Sequence, residues 1–436
     1  MVRSGRPALA GVLLLLAPLG GVAAACGGDR PEAAQELRAT RIEILAVWED
    51  AEADAFRLVL DRFEEETGAR VTFSSTAGTD MGTALDDRLA SGDPPDVAVL
   101  PQPALLERYA RTGEIVPVGD VVGAAVRAGW APVWEQLATV DGVLYGVWFK
   151  AANKSLVWYS LAAFEDAGLV PPADLDGLAD AARDLAARGM PAFSLPGLPA
   201  DAWVLTDWFE NLYLRLAGPD RYDALAAHRI PWTHPTVAET LQTMAALLDD
   251  ELVTRVDDAT FPDSVGDVFS PRPRAAMVVE GDFVPGVVDD GGAAVVGIDV
   301  DVFAFPGQEP TDRAVVVGGD AAVLVQDTPG GRALLQFLAS TRAAEVWAGL
   351  GGFISPNQGV DLGTYPDAPS RRIARALLEA GDDLRFDLSD LQPVPFGATT
   401  GAGLWAELSA FVADPTDIPG TTARIEAAAD ASWAGR

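Results

Sequence analysis

The first part of the chain alternates between strand-like and helix-like spacing of its apolar residues. Residues 41–48 read as a strand, and further strands are predicted at 71–73 and 97–100. Helices are predicted at 80–89, at 104–111 and before Gly68, where one apolar face comprises Ala55, Phe56, Val59, Leu60 and Phe63. This β-α-β-α-β order predicts a parallel sheet of the α/β class.

The middle and the end of the chain change period several times. Two adjacent strands are predicted at 143–149 and 156–159, and later strands at 275–280, 297–305 and 314–325, the last broken by Gly318-Gly319-Asp320. Helices are predicted at 161–167, 174–188, 202–216, 235–250 and 330–338. A glycine-rich loop spans 349–357, and the remainder reads as helical apart from 386–395. The middle of the chain is therefore predicted to be a mainly helical lobe.

Length and charge limit the possibilities. A chain of 436 residues is too long for one hydrophobic core, so two or more domains are expected. The formal net charge of −33 argues against nucleic acid and against anionic membrane surfaces as partners.

The N-terminus has the layout of a secretion signal at residues 1–25. Arg3 and Arg6 precede a short apolar run, and small residues lead to Cys26, the only cysteine. Cys26 is predicted to carry a lipid, although the same small residues would suit ordinary secretory cleavage. Residues 26–41 read as a tether, so the membrane is expected to be contacted through the N-terminal lipid only.

Lys150 and Lys154 are the only lysines of the chain, whose other 29 basic residues are arginines. They lie in what reads as one short turn between two strands, with Trp148, Trp158 and Tyr159 close by in sequence. Arginine does not replace the compact ammonium group of lysine. Aromatic faces beside flexible donors suit a sugar; the alternative is a buried strand pair whose lysines extend to water.

The sequence gives little support for an enzyme. His228 and His234 have no neighbouring cysteine, so a zinc site is not expected, and no metal or cofactor is predicted. No G-x-S-x-G, Walker A or dinucleotide-binding motif is present. Glu280 and Asp282 could form a glycosidase pair, but side chains two residues apart at a strand end are weak evidence.

Candidate ligand-binding residues share one placement, at strand ends or helix starts, where ligands bind in open α/β sheets. Each has a structural alternative: Asp80 could cap a helix, Trp208 could belong to the core, and the glycines around 319 could form a bulge. The predicted set is Trp48, Glu49, Asp80, Met81, Gln102, Lys150, Lys154, Trp158, Trp203, Asp207, Trp208, Glu280, Asp282, Phe283, Gly319, Asp320, Gly352 and Phe353.

Six segments in order resemble the extracellular solute-binding proteins of sugar ABC importers, the maltose-binding-like family 1, and most of all its α-glucoside-binding branch. They are WEDAEADAFRLVLDRFEEETG at 48–68, SGDPPDVAVL at 91–100, DGVLYGVWFKAANKSLVWYS at 141–160, EGDF at 280–283, VGGDAAVLVQ at 317–326 and GGFISPNQGVD at 351–361. The chain departs from common relatives at Asp50, where glycine is frequent, and at Asp282, where a small residue is usual.

The resemblance implies a two-lobe periplasmic-binding-protein clamp of type II. Lobe 1 would comprise 42–149 and 301–342, and lobe 2 would comprise 150–300 and 343–436. A carbohydrate would bind between them, and a permease and an ATPase on other chains would receive it from a monomeric binding protein. The alternative is a binding protein or sensor for another solute, such as a peptide, a polyamine, a phosphodiester or an iron complex.

Overall fold

The computed structural model describes residues 37–76, 80–309 and 311–434. The predicted signal peptide, Cys26 and most of the tether lie outside the described residues. Within them, most strands belong to two sheets that alternate with helices, so the predicted two-lobe α/β class is confirmed. The strands are β1 Arg41–Ala46, β2 Arg70–Ser75, β3 Val97–Leu100, β4 Thr139–Val140, β5 Val143–Leu144, β6 Gly146–Asn153, β7 Leu156–Ser160, β8 Phe193–Pro196, β9 Val253–Val256, β10 Met277–Val279, β11 Val300–Ala304, β12 Val315–Leu324 and β13 Leu384–Phe386.

The helices predicted from the sequence are present, with boundaries within a few residues, whereas α4, α5, α9, α11 and α12 were not predicted. In chain order they are α1 Asp50–Thr67, α2 Met81–Ser91, α3 Pro103–Thr112, α4 Gly123–Gly129, α5 Pro132–Leu137, α6 Leu161–Ala167, α7 Leu175–Ala187, α8 Trp203–Ala217, α9 Pro219–Ala226, α10 Pro235–Leu247, α11 Phe261–Phe269, α12 Val284–Gly291, α13 Pro329–Leu338, α14 Thr341–Ala348, α15 Ala368–Ala380, α16 Val394–Gly397, α17 Gly403–Ala413 and α18 Ile418–Trp433.

The first sheet has the strand order β13-β12-β3-β1-β2, and β6 also pairs with β12. Strand β1 pairs in parallel with both β2 and β3, which confirms the predicted parallel arrangement. Helix α1 connects β1 to β2 and buries Phe56, Val59, Leu60 and Phe63, the predicted apolar face. Gly68 ends it in the left-handed conformation, with its N–H bonded to the Glu64 carbonyl.

The second sheet has the order β11-β7-β10-β8-β9 and mixes parallel with antiparallel pairs. The prediction of a mainly helical middle is therefore incomplete. Strands β8 and β9, of four residues each, were not predicted. So short a run of apolar residues cannot be distinguished from part of a helix by its period alone.

The segment around the two lysines differs from the prediction in two respects. Val143–Leu144 pairs with Thr139–Val140 in a small hairpin, whereas the following strand continues through Lys150 to Asn153. Lys150 therefore lies on strand β6 and not in a turn; only Lys154 lies between the strands. Strand β12 is likewise continuous through its glycines, with an irregularity between Asp320 and Ala321.

The chain passes from the first sheet to the second between Asn153 and Leu156, and returns between Ala304 and Val315. The lobe boundaries at 149/150, 300/301 and 342/343 stay a prediction. An assignment by strand pairing would move the first two by a few residues, because all of β6 pairs in the first sheet and all of β11 in the second.

Candidate ligand-binding site

A cleft of about 620 Å³ lies between helices α1 and α12. Helix α1 connects two strands of the first sheet, and helix α12 follows strand β10 of the second sheet. The segment that ends helix α14 closes its third side. The wall carries aromatic and aliphatic groups as well as several carboxylates and one arginine. Its residues are Ala51, Glu52, Asp54, Ala55, Arg57, Leu58, Asp61, Phe283, Gly286, Asp289, Trp347, Leu350, Gly351 and Gly352.

Lys150 contacts two residues of the cleft wall, Glu52 and Trp347, and only 5% of its surface is exposed. Its ammonium group donates a hydrogen bond to Glu52 and lies 5.4 Å from the centre of the Trp347 ring and 5.9 Å from that of Trp48. Asp320 is its register partner on β12. Burial acts to lower the pKa of Lys150, but the surrounding carboxylates outweigh it and raise that pKa.

Asp282 follows strand β10 and is 3% exposed. Neither of its carboxylate oxygens accepts a well-formed hydrogen bond among the described residues, although the backbone N–H groups of Asn153 and of Asp282 itself lie close enough to act on its pKa. Burial raises the pKa of Asp282 to about 7, against the opposing effect of Lys150. Burying a carboxylate without donors costs free energy, so this group is ready to accept hydrogen bonds from a ligand.

Lys154 forms a second cluster where the chain crosses between the sheets. Its ammonium group lies 3.1 Å from Asp207 Oδ1 on helix α8 and 2.5 Å from Asp387 Oδ2, which follows strand β13. The Trp203 ring centre is 5.7 Å away. One lysine therefore connects a helix beside the second sheet with a strand end of the first.

The acids around Lys154 are held in different charge states. Burial raises the pKa of Asp207 to about 7, although Lys154 opposes it. Asp387 is also buried, but Lys154 and the Ser389 hydroxyl lower its pKa to about 2. Burial raises the pKa of Glu280 well above its usual value, and the neighbouring Asp207 carboxyl group raises it further by its charge and by a shared hydrogen bond.

Asp207, Glu210 and Asp387 are close enough together to be considered as metal ligands. Most of their lone pairs are already used, however. Glu210 accepts hydrogen bonds from the backbone N–H groups of Leu388 and Ser389, at 2.8 and 2.9 Å. The Lys154 ammonium group forms ion pairs with the other two acids and occupies the position between them, so this cluster is built around a lysine and not around a metal ion.

The structure brings together many of the predicted residues. Trp48, Lys150, Asp282 and Asp320 surround the first lysine cluster, and Lys154, Trp203, Asp207 and Glu280 the second. Phe283 and Gly352 line the cleft, and the Phe283 and Trp203 rings lie 5.9 Å apart. Glu280 interacts with Asp207 and Lys154, whereas Asp282 interacts with Lys150, so the two acids do not face one another as a glycosidase pair.

Four other predicted residues have contacts away from these clusters or at their edge. Glu49 is exposed and accepts a hydrogen bond from Ser75, and Asp80 caps helix α2 through the Thr83 N–H. Met81 is buried beside that cap. Gln102 begins helix α3 and bonds to Asp390 of the Lys154 cluster. That Glu49, Asp80 or Met81 contacts a ligand stays a prediction, and their positions away from the two lysine clusters do not support it.

Three predicted aromatic residues are fully buried. Trp158 donates its indole N–H to the carbonyls of Glu280 and Gly281, and so holds the turn that carries Asp282. Trp208 packs edge-on against Phe193 and Phe305, and Phe353 stacks on Trp347. Their positions assign them to packing around the site, and their direct contact with a ligand stays a prediction.

Gly319 has a structural reason to be glycine. A Cβ atom at this position would lie 2.7 Å from the Lys150 carbonyl oxygen on the paired strand. We expect Gly319→Ala to lower the free energy of unfolding by roughly 1–3 kcal/mol, because the strands must separate. Gly266→Ala, in a helix and with open space around it, is expected to raise it by roughly 0.5–1 kcal/mol. Urea titrations of both variants check this; equal effects would contradict it.

Several residues of the site were missed from the sequence. Glu52 and Trp347 complete the Lys150 cluster, and Glu210, Asp387 and Asp390 complete the Lys154 cluster. Glu52 carried the weak signal of an acid at a helix start. The others come from segments far apart in the chain, and no local pattern marks them.

Along residues 37–76, 80–309 and 311–434, none of the helices combines the length and apolar character needed to cross a bilayer.

Two α/β lobes with a polar, aromatic-lined cleft between them define a two-lobe binding protein of the periplasmic type.

Comparisons with known proteins agree. The family described as bacterial extracellular solute-binding protein matches residues 49–345. The chain is 33% identical over 401 residues to the osmoprotective compounds-binding protein GgtB of Synechocystis sp., covering 88% of this chain and 92% of that one. It is 31% identical over 395 residues to the alpha-glucosides-binding periplasmic protein AglE of Rhizobium meliloti, covering 86% and 84%.

Among solved structures, the bacterial solute receptor AcbH superposes with a TM-score of 0.75 at 18% identity, over 91% of this chain and 100% of that one. At this identity the likeness concerns the fold alone. Together with the family match over most of the chain, these findings confirm the resemblance seen in the sequence. The chain belongs to the bacterial extracellular solute-binding proteins, a family whose members bind solutes.

Proposed function

We propose that this protein binds an α-glucoside or a short α-linked oligosaccharide and delivers it to an ABC import permease and its ATPase. The observation that carries the proposal is Asp282, a buried carboxyl group without a well-formed hydrogen bond among the described residues, placed directly before Phe283 in the cleft wall. Sugar hydroxyls supply the missing donors, and aromatic rings pack against the apolar face of a pyranose. The relative AglE, named for alpha-glucosides, supports this ligand class.

Delivery requires that the permease distinguish the loaded protein from the empty one. In this proposal the lobes close around the sugar about the crossing segments near Lys154 and residues 305–314. The sugar favours the closed form only through contacts that it makes there to both lobes. We further propose export by the segment 1–25, lipid attachment at Cys26 and a monomeric state.

A second candidate is a small compatible solute bound in the same cleft. The relative GgtB, named for osmoprotective compounds, favours it at similar identity. Both candidates place the ligand between the lobes without chemical conversion. Turnover of a bound sugar would contradict both.

The test is a thermal-shift screen of the purified protein against mono-, di- and trisaccharides, compatible solutes, amino acids and polyamines. A ligand at ~100 times its dissociation constant is expected to stabilise the protein by about 2.7 kcal/mol. A shift with an α-linked disaccharide supports the first candidate, and a shift with compatible solutes alone supports the second. A shift with polyamines or amino acids alone would overturn both.

Phe283→Ala is expected to weaken binding of the best sugar roughly tenfold, through loss of about 1.5 kcal/mol of ring contact. Phe303→Ala is the matched control. Phe303 is also a half-buried phenylalanine, but it lies on strand β11 and packs against Tyr159 of β7 and Phe164 of helix α6. Isothermal titration of both variants checks the result. Equal affinities would remove Phe283 from the site.

A further inference from the structure

Carboxyl groups far outnumber ammonium groups around the two lysines. Among the described residues, Lys150 and Lys154 are the cations that interact with eight carboxyl groups, and the outer wall of the cleft adds further acids and one arginine. The eight are Glu52, Asp207, Glu210, Glu280, Asp282, Asp320, Asp387 and Asp390. Burial holds part of this excess in the protonated form, because it raises the pKa of Glu210, Glu280 and Asp390 well above the usual value, but the carboxyl groups still outnumber the ammonium groups.

The Asp282 carboxyl group in the Lys150 cluster lacks well-formed hydrogen bonds from donors, since neither Oδ1 nor Oδ2 accepts one among the described residues. Both ammonium groups are already committed, Lys150 to Glu52 and Lys154 to Asp207 and Asp387. An anionic group that reached these clusters would meet buried carboxyl groups and no uncommitted lysine, and burying like charges together is costly. The cation of the cleft wall, Arg57, lies outside the two clusters.

The clusters already accommodate ammonium groups beside indole rings. Lys150 lies near Trp48 and Trp347, and Lys154 lies near Trp203. Aromatic faces and carboxylates together stabilise a partly desolvated cation. Trp203 also neighbours Phe283 at the cleft, so the same surroundings extend to where a ligand enters.

We propose that this site selects its ligand by charge and prefers glycosides that carry an ammonium group, with Asp282 as the carboxylate that pairs with it. Phosphorylated and carboxylated sugars are excluded. The inference rests on the proposed function, since it names the ligand class of the same cleft. A neutral sugar offers hydroxyl donors to the Asp282 oxygens, whereas an amino sugar offers one of them a charge-assisted hydrogen bond.

The experiment measures dissociation constants by isothermal titration for one neutral disaccharide that binds and for its charged analogues. These are amino analogues, with one hydroxyl replaced by an amine at each available position, together with the uronate and the 6-phosphate. At about pH 7 we expect at least one amino analogue to bind about tenfold tighter than the parent and both anions about a hundredfold weaker. Anions that bind like the parent, or a parent tighter than every amino analogue, would overturn the inference.

The variant Asp282→Asn tests whether the amine preference comes from an ion pair with Asp282 or from the other carboxyl groups of the site. The ratio of the two affinities, amino analogue to parent, is expected to fall to about one in this variant. Asp166 is an exposed acid on helix α6, so the variant Asp166→Asn should leave the ratio of the two affinities unchanged. A preserved ratio in Asp282→Asn would refute Asp282 as the partner. Binding of the parent without any amine preference refutes the inference but spares the proposed function; no binding of any sugar refutes both.

Discussion

Replacing Lys154 with methionine is expected to lower the free energy of unfolding by roughly 3–5 kcal/mol, the usual cost of removing one partner from a buried ion pair. Lys154 is the ammonium group that Asp207 and Asp387 share, and both of these acids are almost completely buried. Without it, their carboxylates must take up protons or remain charged without a counterion. Urea titration of the purified variant gives the value.

Arg62→Met provides the control for Lys154→Met. Arg62 pairs with Glu65 and Glu66 on helix α1, but its side chain is 51% exposed. An exposed pair contributes about 0–1 kcal/mol, so this variant should remain close to wild type. If Lys154→Met were no more destabilising than Arg62→Met, the central position assigned to this lysine would be wrong.

Asp282→Asn is expected to stabilise the sugar-free protein at neutral pH and to remove part of its pH dependence. The folded pKa of Asp282 is about 7, whereas an unfolded aspartate has a pKa near ~3.9. Between these values the folded state holds a proton that the unfolded state has lost. The contribution of Asp282 to the free energy of unfolding therefore falls as pH rises, by about 1.4 kcal/mol per pH unit and about 4 kcal/mol at most.

The measurement is the difference in free energy of unfolding between wild type and Asp282→Asn across this range of pH. The difference isolates Asp282, because Asp207 and Asp320, whose pKa values burial also raises, remain in both proteins. The free energy of unfolding of Asp282→Asn should rise relative to that of wild type as pH increases. Asp166→Asn is expected to follow the wild-type curve. Parallel curves for wild type and Asp282→Asn would show that Asp282 is satisfied in the folded state.

Much of the fold was predictable because its elements have strong local signals. The apolar face of helix α1, its end at Gly68 and the parallel arrangement of β1, β2 and β3 all follow from period and turn residues. Strands β8 and β9 escaped prediction because short apolar runs acquire strand geometry only from their neighbours. The same dependence made the strand through Lys150 look like a turn.

The candidate site was predictable to a lesser degree. The scarcity of lysine singled out Lys150 and Lys154, and strand ends singled out Asp282, Phe283 and Asp320. Trp208 and Trp158 looked like ligand residues from the sequence, but the structure places both in the interior. An aromatic residue has the same local pattern whether its ring meets a ligand or packs against another ring.

By itself, the sequence determined the class of fold, the order of most elements and the family resemblance, because helix caps, turns and apolar periods act over a few residues. Only the tertiary structure decided how the charges are arranged. Glu52 reaches Lys150 across 98 residues, and Asp387 reaches Lys154 across 233. Whether a buried carboxylate is paired or left for a ligand depends on which distant segments meet it, and that information is not local.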